Sequence, residues 1–262
     1  MKKIQAALWM EILKIRRSKV FPISIYFFIF IGFMMGMIMF LSMHPEIANR
    51  SSTMNMKTSF LGAFGWRAYF NLLMQLILTV MVIGSGVITS WVFGREFSDK
   101  VVKDLLALPV RRSTIILSKL VVLFFWCIIL SVIVLMAAMI TGFAIKLPGW
   151  TEVELFPFLK TYLVCALLNT LLITPVAFVA SAGRGYMLPI SFVILVMILT
   201  QLLFLVLPGF SVCFPWALPG LYSRVAGIAI PSPGLISYIL YGITVLAGIF
   251  GTLAWWQYAD HK

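Results

Sequence analysis

Leu120 to Phe143 reads Leu-Val-Val-Leu-Phe-Phe-Trp-Cys-Ile-Ile-Leu-Ser-Val-Ile-Val-Leu-Met-Ala-Ala-Met-Ile-Thr-Gly-Phe, with no charged residue in it. A helix rises 1.5 Å per residue, so roughly 20 apolar residues cross the hydrocarbon of a bilayer. This stretch is long enough, and its backbone polar groups are satisfied in lipid only as a helix. Five more segments share the property: Val20–Leu41, Phe70–Phe93, Phe158–Ala180, Met187–Leu207 and Leu235–Trp256. The expectation is an all-α integral membrane protein with six transmembrane helices in a single domain over 1–262.

Composition agrees. The 262 residues are 62% hydrophobic and 11% charged, and the mean hydropathy is +1.08. A soluble domain carries about 25% charged residues, because its surface faces water. Three cysteines in apolar surroundings, Cys127, Cys165 and Cys213, have neither zinc nor redox spacing, and no metal site is expected. The net charge of +12 does not make the chain a nucleic-acid binder, since its cations sit at span ends rather than on a soluble basic face.

Those cations set an orientation. Lys2, Lys3, Lys14, Arg16, Arg17 and Lys19 precede the first span, and Arg95, Lys100, Lys103, Arg111, Arg112 and Lys119 lie between the second and third. With Arg184 and Lys262 they place fourteen of the 20 Lys and Arg on one side. By the positive-inside rule that side is the cytoplasm of a plasma membrane, with both termini inside.

The apolar spans also exclude chemistry. All eight acids fall outside them, and His44 and His261 stand at span ends. A proton-coupled carrier needs a titrating group near mid-bilayer, and haem needs paired axial ligands. No G-x-x-x-x-G-K-[ST] phosphate loop occurs either. Uphill transport would take its energy from another chain, and no enzymatic role is expected of this one.

Two charged stretches carry amphipathic patterns. In the N-terminal elbow (1–19), Ile4, Leu8, Ile12 and Ile15 share one helical face, Trp9 and Leu13 flank it, and Lys3, Lys14 and Arg17 fall opposite. Such a helix suits the membrane interface, with Trp9 as an aromatic anchor and Lys3, Lys14 and Arg17 toward anionic headgroups. A generic basic tail has the same charge.

From Phe93 the chain runs Phe-Gly-Arg-Glu-Phe-Ser-Asp-Lys-Val-Val-Lys-Asp-Leu-Leu-Ala-Leu-Pro-Val-Arg-Arg-Ser. Ser98 suits an N-cap, Asp99 the first turn, and Phe97 with Val102 a hydrophobic staple. Val101, Val102, Leu105, Leu106 and Leu108 then make an apolar stripe, with Lys100, Lys103 and Asp104 turned away, and Pro109 ends the helix. This helix, 98–108, is too short to cross a bilayer. Its stripe can pack beneath its own bundle or on headgroups, or dock on a soluble partner with Glu96, Asp99, Asp104, Arg111 and Arg112 setting register.

The run Arg95-Glu96-Phe97-Ser98-Asp99-Lys100, then Leu105-Leu106-Ala107-Leu108-Pro109-Val110-Arg111-Arg112 and Lys119, resembles the cytoplasmic loop of ABC-2 type permeases. These are membrane subunits of bacterial exporters with the ABCG-like fold. The resemblance extends over the whole layout of elbow, six spans, cytoplasmic coupling helix and outer hairpin. It implies that two permease chains pair as a homodimer and that two separate ATPase subunits bind the ATP and Mg. Glu96 to Leu108 would then transmit the ATPase motion, with Glu96, Phe97, Asp99, Lys100, Val101, Val102, Lys103, Asp104, Leu105, Leu106, Leu108, Arg111 and Arg112 at the docking surface. The importer-type Glu-Ala-Ala signature is absent. A passive channel, or a membrane scaffold without an ATPase partner, stands as the alternative.

Residues 208–234 hold Pro208, Pro215, Pro219, Pro231 and Pro233 in an apolar setting with one charge, Arg224. A re-entrant outer hairpin fits that pattern, and a loose external loop is the plainer option. Within the spans, Asn71, Gln75 and Thr79 recur at i, i+4, i+8, Asn169, Thr170 and Thr174 cluster in span four, and Gln201 lies in span five. Buried amides either hydrogen-bond between helices or line a hydrated cavity. In the second case Asn71, Gln75, Thr79 and Gln201 mark a substrate path for an amphipathic or hydrophobic cargo such as a peptide, bacteriocin, lantibiotic or antibiotic. Gly32 and Gly36 form a G-x-x-x-G whose partner helix the sequence leaves open.

Overall fold

The computed structural model describes residues 2–44, 65–98, 111–224 and 231–258. Among these it is all-helical, and six helical segments are long and apolar enough to cross a membrane. In chain order the helices are α1 (Lys2–Arg16), α2 (Val20–Met43), α3 (Trp66–Ser98), α4 (Arg112–Ala144), α5 (Glu152–Leu171), α6 (Ile173–Ala182), α7 (Met187–Val206), α8 (Leu218–Ser223) and α9 (Leu235–Tyr258). Two 3-10 turns, Pro208–Cys213 and Pro215–Ala217, precede α8.

Spans two and three run further than the expected Phe70–Phe93 and Leu120–Phe143. Each has 33 residues, about 50 Å of helix against a hydrocarbon core of about 30 Å. Their extra turns continue past the hydrocarbon because the side chains there find partners. At one end Trp66 packs edge-on against Trp150 at 4.6 Å, and Phe70 stacks on Phe158 at 4.1 Å. At the other, Glu96 and Lys119 pair in the interior.

Span four is broken rather than continuous. Proline has no N–H, so Pro175 leaves the Leu171 carbonyl without its i+4 donor. The chain divides there into α5 and α6 at Leu172. The Thr174 hydroxyl lies 3.1 Å from the Leu171 carbonyl and 3.0 Å from that of Val245 in α9, within donating distance of both. Gly248 lets α9 approach this break: a Cβ there would meet the backbone of Thr174 and Pro175.

α3 lies at the centre, bordered by α2, α4, α5, α6 and α7. The partner of Gly32 and Gly36 is α4, where a Cβ on either would come within 2.7 Å of Ala137 or 2.6 Å of Thr141. Tyrosine hydroxyls tie helices together from buried positions: Tyr69 donates to the Ala138 carbonyl at 2.8 Å and Tyr162 to that of Ser131 at 2.9 Å. α2, α7 and α9 are peripheral and turn large apolar side chains outward, among them Tyr26, Phe30, Leu195, Leu205 and Phe250.

Candidate functional site

The polar residues of α3 and α7 meet in one cavity. It has a volume of about 420 Å³, and Gln75, Thr79 and Gln201 all line it, within the range typical of ligand sites. The i, i+4 spacing puts Gln75 and Thr79 on one face of α3, and α7 packs along that face. Asn71 is exposed on the same stripe one turn away, about 6 Å along the axis, and is not part of the lining.

Asn169 and Thr200 add polar groups to the wall, and the rest of it is apolar. Leu78, Val82, Met197 and Phe204 contribute to it, and Trp216, Pro219 and Gly220 of the Pro-rich segment close one end. That segment is folded onto the bundle around α8: Ala217, Leu218 and Leu221 are fully buried, and the Cys165 thiol approaches the Pro219 carbonyl at 3.4 Å. Residues 225–230, in the second half of the expected hairpin, lie outside the described residues.

Asn169 shows the other use of a buried amide. Its Nδ2 donates to the Ile77 carbonyl at 2.9 Å, fixing α5 to α3 at the cavity wall. Thr79 and Thr200 donate back to the carbonyls of Gln75 and Val196, each at 2.7 Å, so their oxygens turn acceptor capacity to the space. The lining has amide and hydroxyl groups on one part and hydrocarbon on the rest, with no ionisable side chain among the described residues. Such a wall suits an amphiphile and offers no counter-charge to an ion.

A second constellation lies at the N-terminal end of the bundle. Glu11 of α1, Glu96 of α3 and Lys119 of α4 are buried, and Lys14 of α1 closes the group. Lys119 pairs with Glu96 and lies 3.5 Å from Glu11, while Lys14 lies 3.0 Å from Glu11 and 3.4 Å from Glu96. Two acids and two lysines balance, which is how a buried charge cluster avoids an uncompensated ion. Burial works to lower the Lys14 pKa, but the two adjacent carboxylates outweigh it and raise the ammonium above its ordinary value.

Sequence reasoning missed this cluster, and it rotates α1. The face turned to α4 carries Ala7, Glu11 and Ile15, while Ile4, Ile12 and Trp9 are exposed. Lys14, expected to face headgroups, points inward to carboxylates instead. Arg17 is exposed, and the side chain of Lys3 is outside the described residues. The available signal was Glu11 itself, an acid inside an apolar arc.

The expected helix 98–108 falls almost wholly outside the described residues, which resume at Arg111: Asp99, Lys100, Val101, Val102, Lys103, Asp104, Leu105, Leu106 and Leu108 are not described. Its flanks are. Ser98 is the last residue of α3 rather than the start of a separate element, and Phe97 packs against Trp256 with ring centroids 5.5 Å apart. Glu96 faces the charge cluster. Arg111 is exposed at the head of α4, and the Arg112 guanidinium donates to the Trp256 and Gln257 carbonyls at 3.3 and 3.4 Å. Cationic donors suit carbonyls at a helix C-terminus such as that of α9.

The family model described as ABC-2 family transporter protein matches residues 7–202, from α1 into α7. The chain belongs to this family. It is 27% identical over 188 residues to the bacitracin transport permease protein BCRB of Bacillus licheniformis, which covers 71% of this chain and 88% of that protein. No solved structure matches it. An ABC-2 permease is a transport component of an ABC transporter and not an enzyme; ATP is hydrolysed on a separate subunit. Both charge cluster and cavity therefore belong to a multi-pass membrane permease.

Proposed function

We propose that this chain is the permease of an ABC exporter, in which the cavity between α3 and α7 forms part of the path of an amphipathic or hydrophobic cargo. The observation that carries the reading is the convergence of Gln75, Thr79 and Gln201 from two different spans on one space walled by amide, hydroxyl and hydrocarbon groups. The similar Bacillus protein is named for bacitracin transport, which supports a cargo of the antimicrobial class over sugars or ions.

In this reading two such chains pair, each with a separate ATPase subunit carrying ATP and Mg. The segment 98–108 docks on the ATPase through Val101, Val102, Leu105, Leu106 and Leu108, while both termini stay on the cytoplasmic side. Closure of the ATPases pushes that segment. Because that segment follows α3 in the sequence, the push is passed to α3 and reaches Gln75 and Thr79 along it. α1 lies at the membrane interface with Trp9 exposed toward headgroups, and the Pro-rich segment dips into the outer leaflet above the cavity.

The test is co-purification. A tagged chain expressed with the ATPase brings that subunit with it, and Leu105→Asp with Leu106→Asp releases the subunit while leaving the permease in the membrane. If no ATPase ever accompanies the intact chain, and flux proceeds without ATP, the passive-channel reading replaces this one.

A further inference from the structure

Beside the charge cluster, on the outer flank of the bundle, α1, α2 and α4 leave an apolar groove of about 480 Å³. Ile12, Phe21, Val121, Phe125 and Ile129 line it, and among the described residues Arg16 is the one charged residue on its wall. Ile12, Val121, Phe125 and Ile129 are 42, 41, 60 and 54% exposed, so the groove opens sideways to where lipid lies.

We infer that this groove is a binding site for one anionic glycerophospholipid from the leaflet on the N-terminal side. Length supports that occupant. Along α4 the lining runs from Val121 to Leu130, about 13 Å of helix and close to half of the ~30 Å hydrocarbon core, which is one leaflet. Charge supports it too. Arg16 stands at the polar end, where α2 enters the membrane at Val20, and the next residues Arg17 and Lys19 are exposed there. A guanidinium at the mouth and hydrocarbon along the shaft match a phosphate head and an acyl tail. Trp126, also in the lining, carries a buried indole N–H with no acceptor among the described residues. That N–H has almost no accessible surface, so Trp126 serves as a probe beside the groove and not as a ligand of the lipid. The inference is independent of the direction in which cargo moves.

The experiment uses the full chain in phosphatidylcholine nanodiscs, titrated with brominated-acyl phosphatidylglycerol or brominated-acyl phosphatidylcholine while tryptophan fluorescence is followed. The expected result is a saturable quenching component that Trp126→Phe removes and that phosphatidylglycerol reaches at about fivefold lower mole fraction. In Arg16→Gln the two lipids then titrate together. Equal quenching by both lipids in the unaltered chain overturns the inference, as does a preference that survives Arg16→Gln. A quenching curve indifferent to Trp126→Phe also overturns it, because the groove is then covered by protein, a second copy of this chain included.

Discussion

The Glu96 carboxylate, in the last turn of α3, pairs with the Lys119 ammonium of α4 inside the protein, 8% and 2% exposed. Removing one member of a buried pair leaves the other uncompensated, at a cost of about 3–5 kcal/mol. Lys119→Met therefore lowers the thermal unfolding midpoint in detergent sharply. Glu96→Leu combined with Lys119→Met costs less than Lys119→Met alone, because Glu11 keeps Lys14 as its partner at 3.0 Å. A double variant worse than the single would show that the pair's stabilisation does not come from charge compensation.

Lys14 adds a pH signature. Its pKa is raised above 10.5, so its contribution to stability is complete below that value and is lost as pH rises through the raised pKa. The stability difference between the unaltered chain and Lys14→Met stays constant from pH 8 to about 10 and closes only above 10.5. Closure near neutral pH in the same unfolding assay would contradict the pairing with Glu11 and Glu96.

The spans could be read from the sequence because lipid imposes a local rule: some twenty apolar residues in a row suffice, whatever their neighbours. The charge cluster obeys no local rule. Glu11, Glu96 and Lys119 come from three separate helices and meet only after folding, so each read singly as interface charge. The extension of α3 to Ser98 follows from the same pairing, and a polar stretch beyond a span does not reveal it. Gln75, Thr79 and Gln201 stood out as polar residues in apolar helices, but nothing in their spacing shows that α7 faces α3. Pro175 was visible throughout, and the break it makes in span four becomes evident only with the Leu171 carbonyl, turned from its backbone donor to the Thr174 hydroxyl, in view.

Two glycines on α9 separate close packing from mere helix content. A Cβ on Gly248 would collide with the Thr174–Pro175 backbone, whereas one on Gly242 meets nothing within 4 Å. Gly248→Ala destabilises by about 1–3 kcal/mol through overpacking. Gly242→Ala is neutral or slightly stabilising, since alanine costs less backbone entropy in a helix. Equal unfolding midpoints for the two variants would rule out the tight approach of α9 to the break in span four.

The cavity is tested by its amides. If Gln75 and Gln201 hydrogen-bond cargo, each contact is worth about 0.5–1.5 kcal/mol, or roughly two- to tenfold in half-saturating concentration. In the complex of permease and ATPase, with bacitracin as probe, Gln75→Leu and Gln201→Leu raise the concentration needed to stimulate ATP hydrolysis by that factor and leave the unstimulated rate unchanged. Asn71→Leu, on the same stripe of α3 but outside the lining, changes neither. The Asn71 variant distinguishes a cavity from a general demand for polarity on that helix face: if all three behave alike, the stripe and not the cavity governs cargo response.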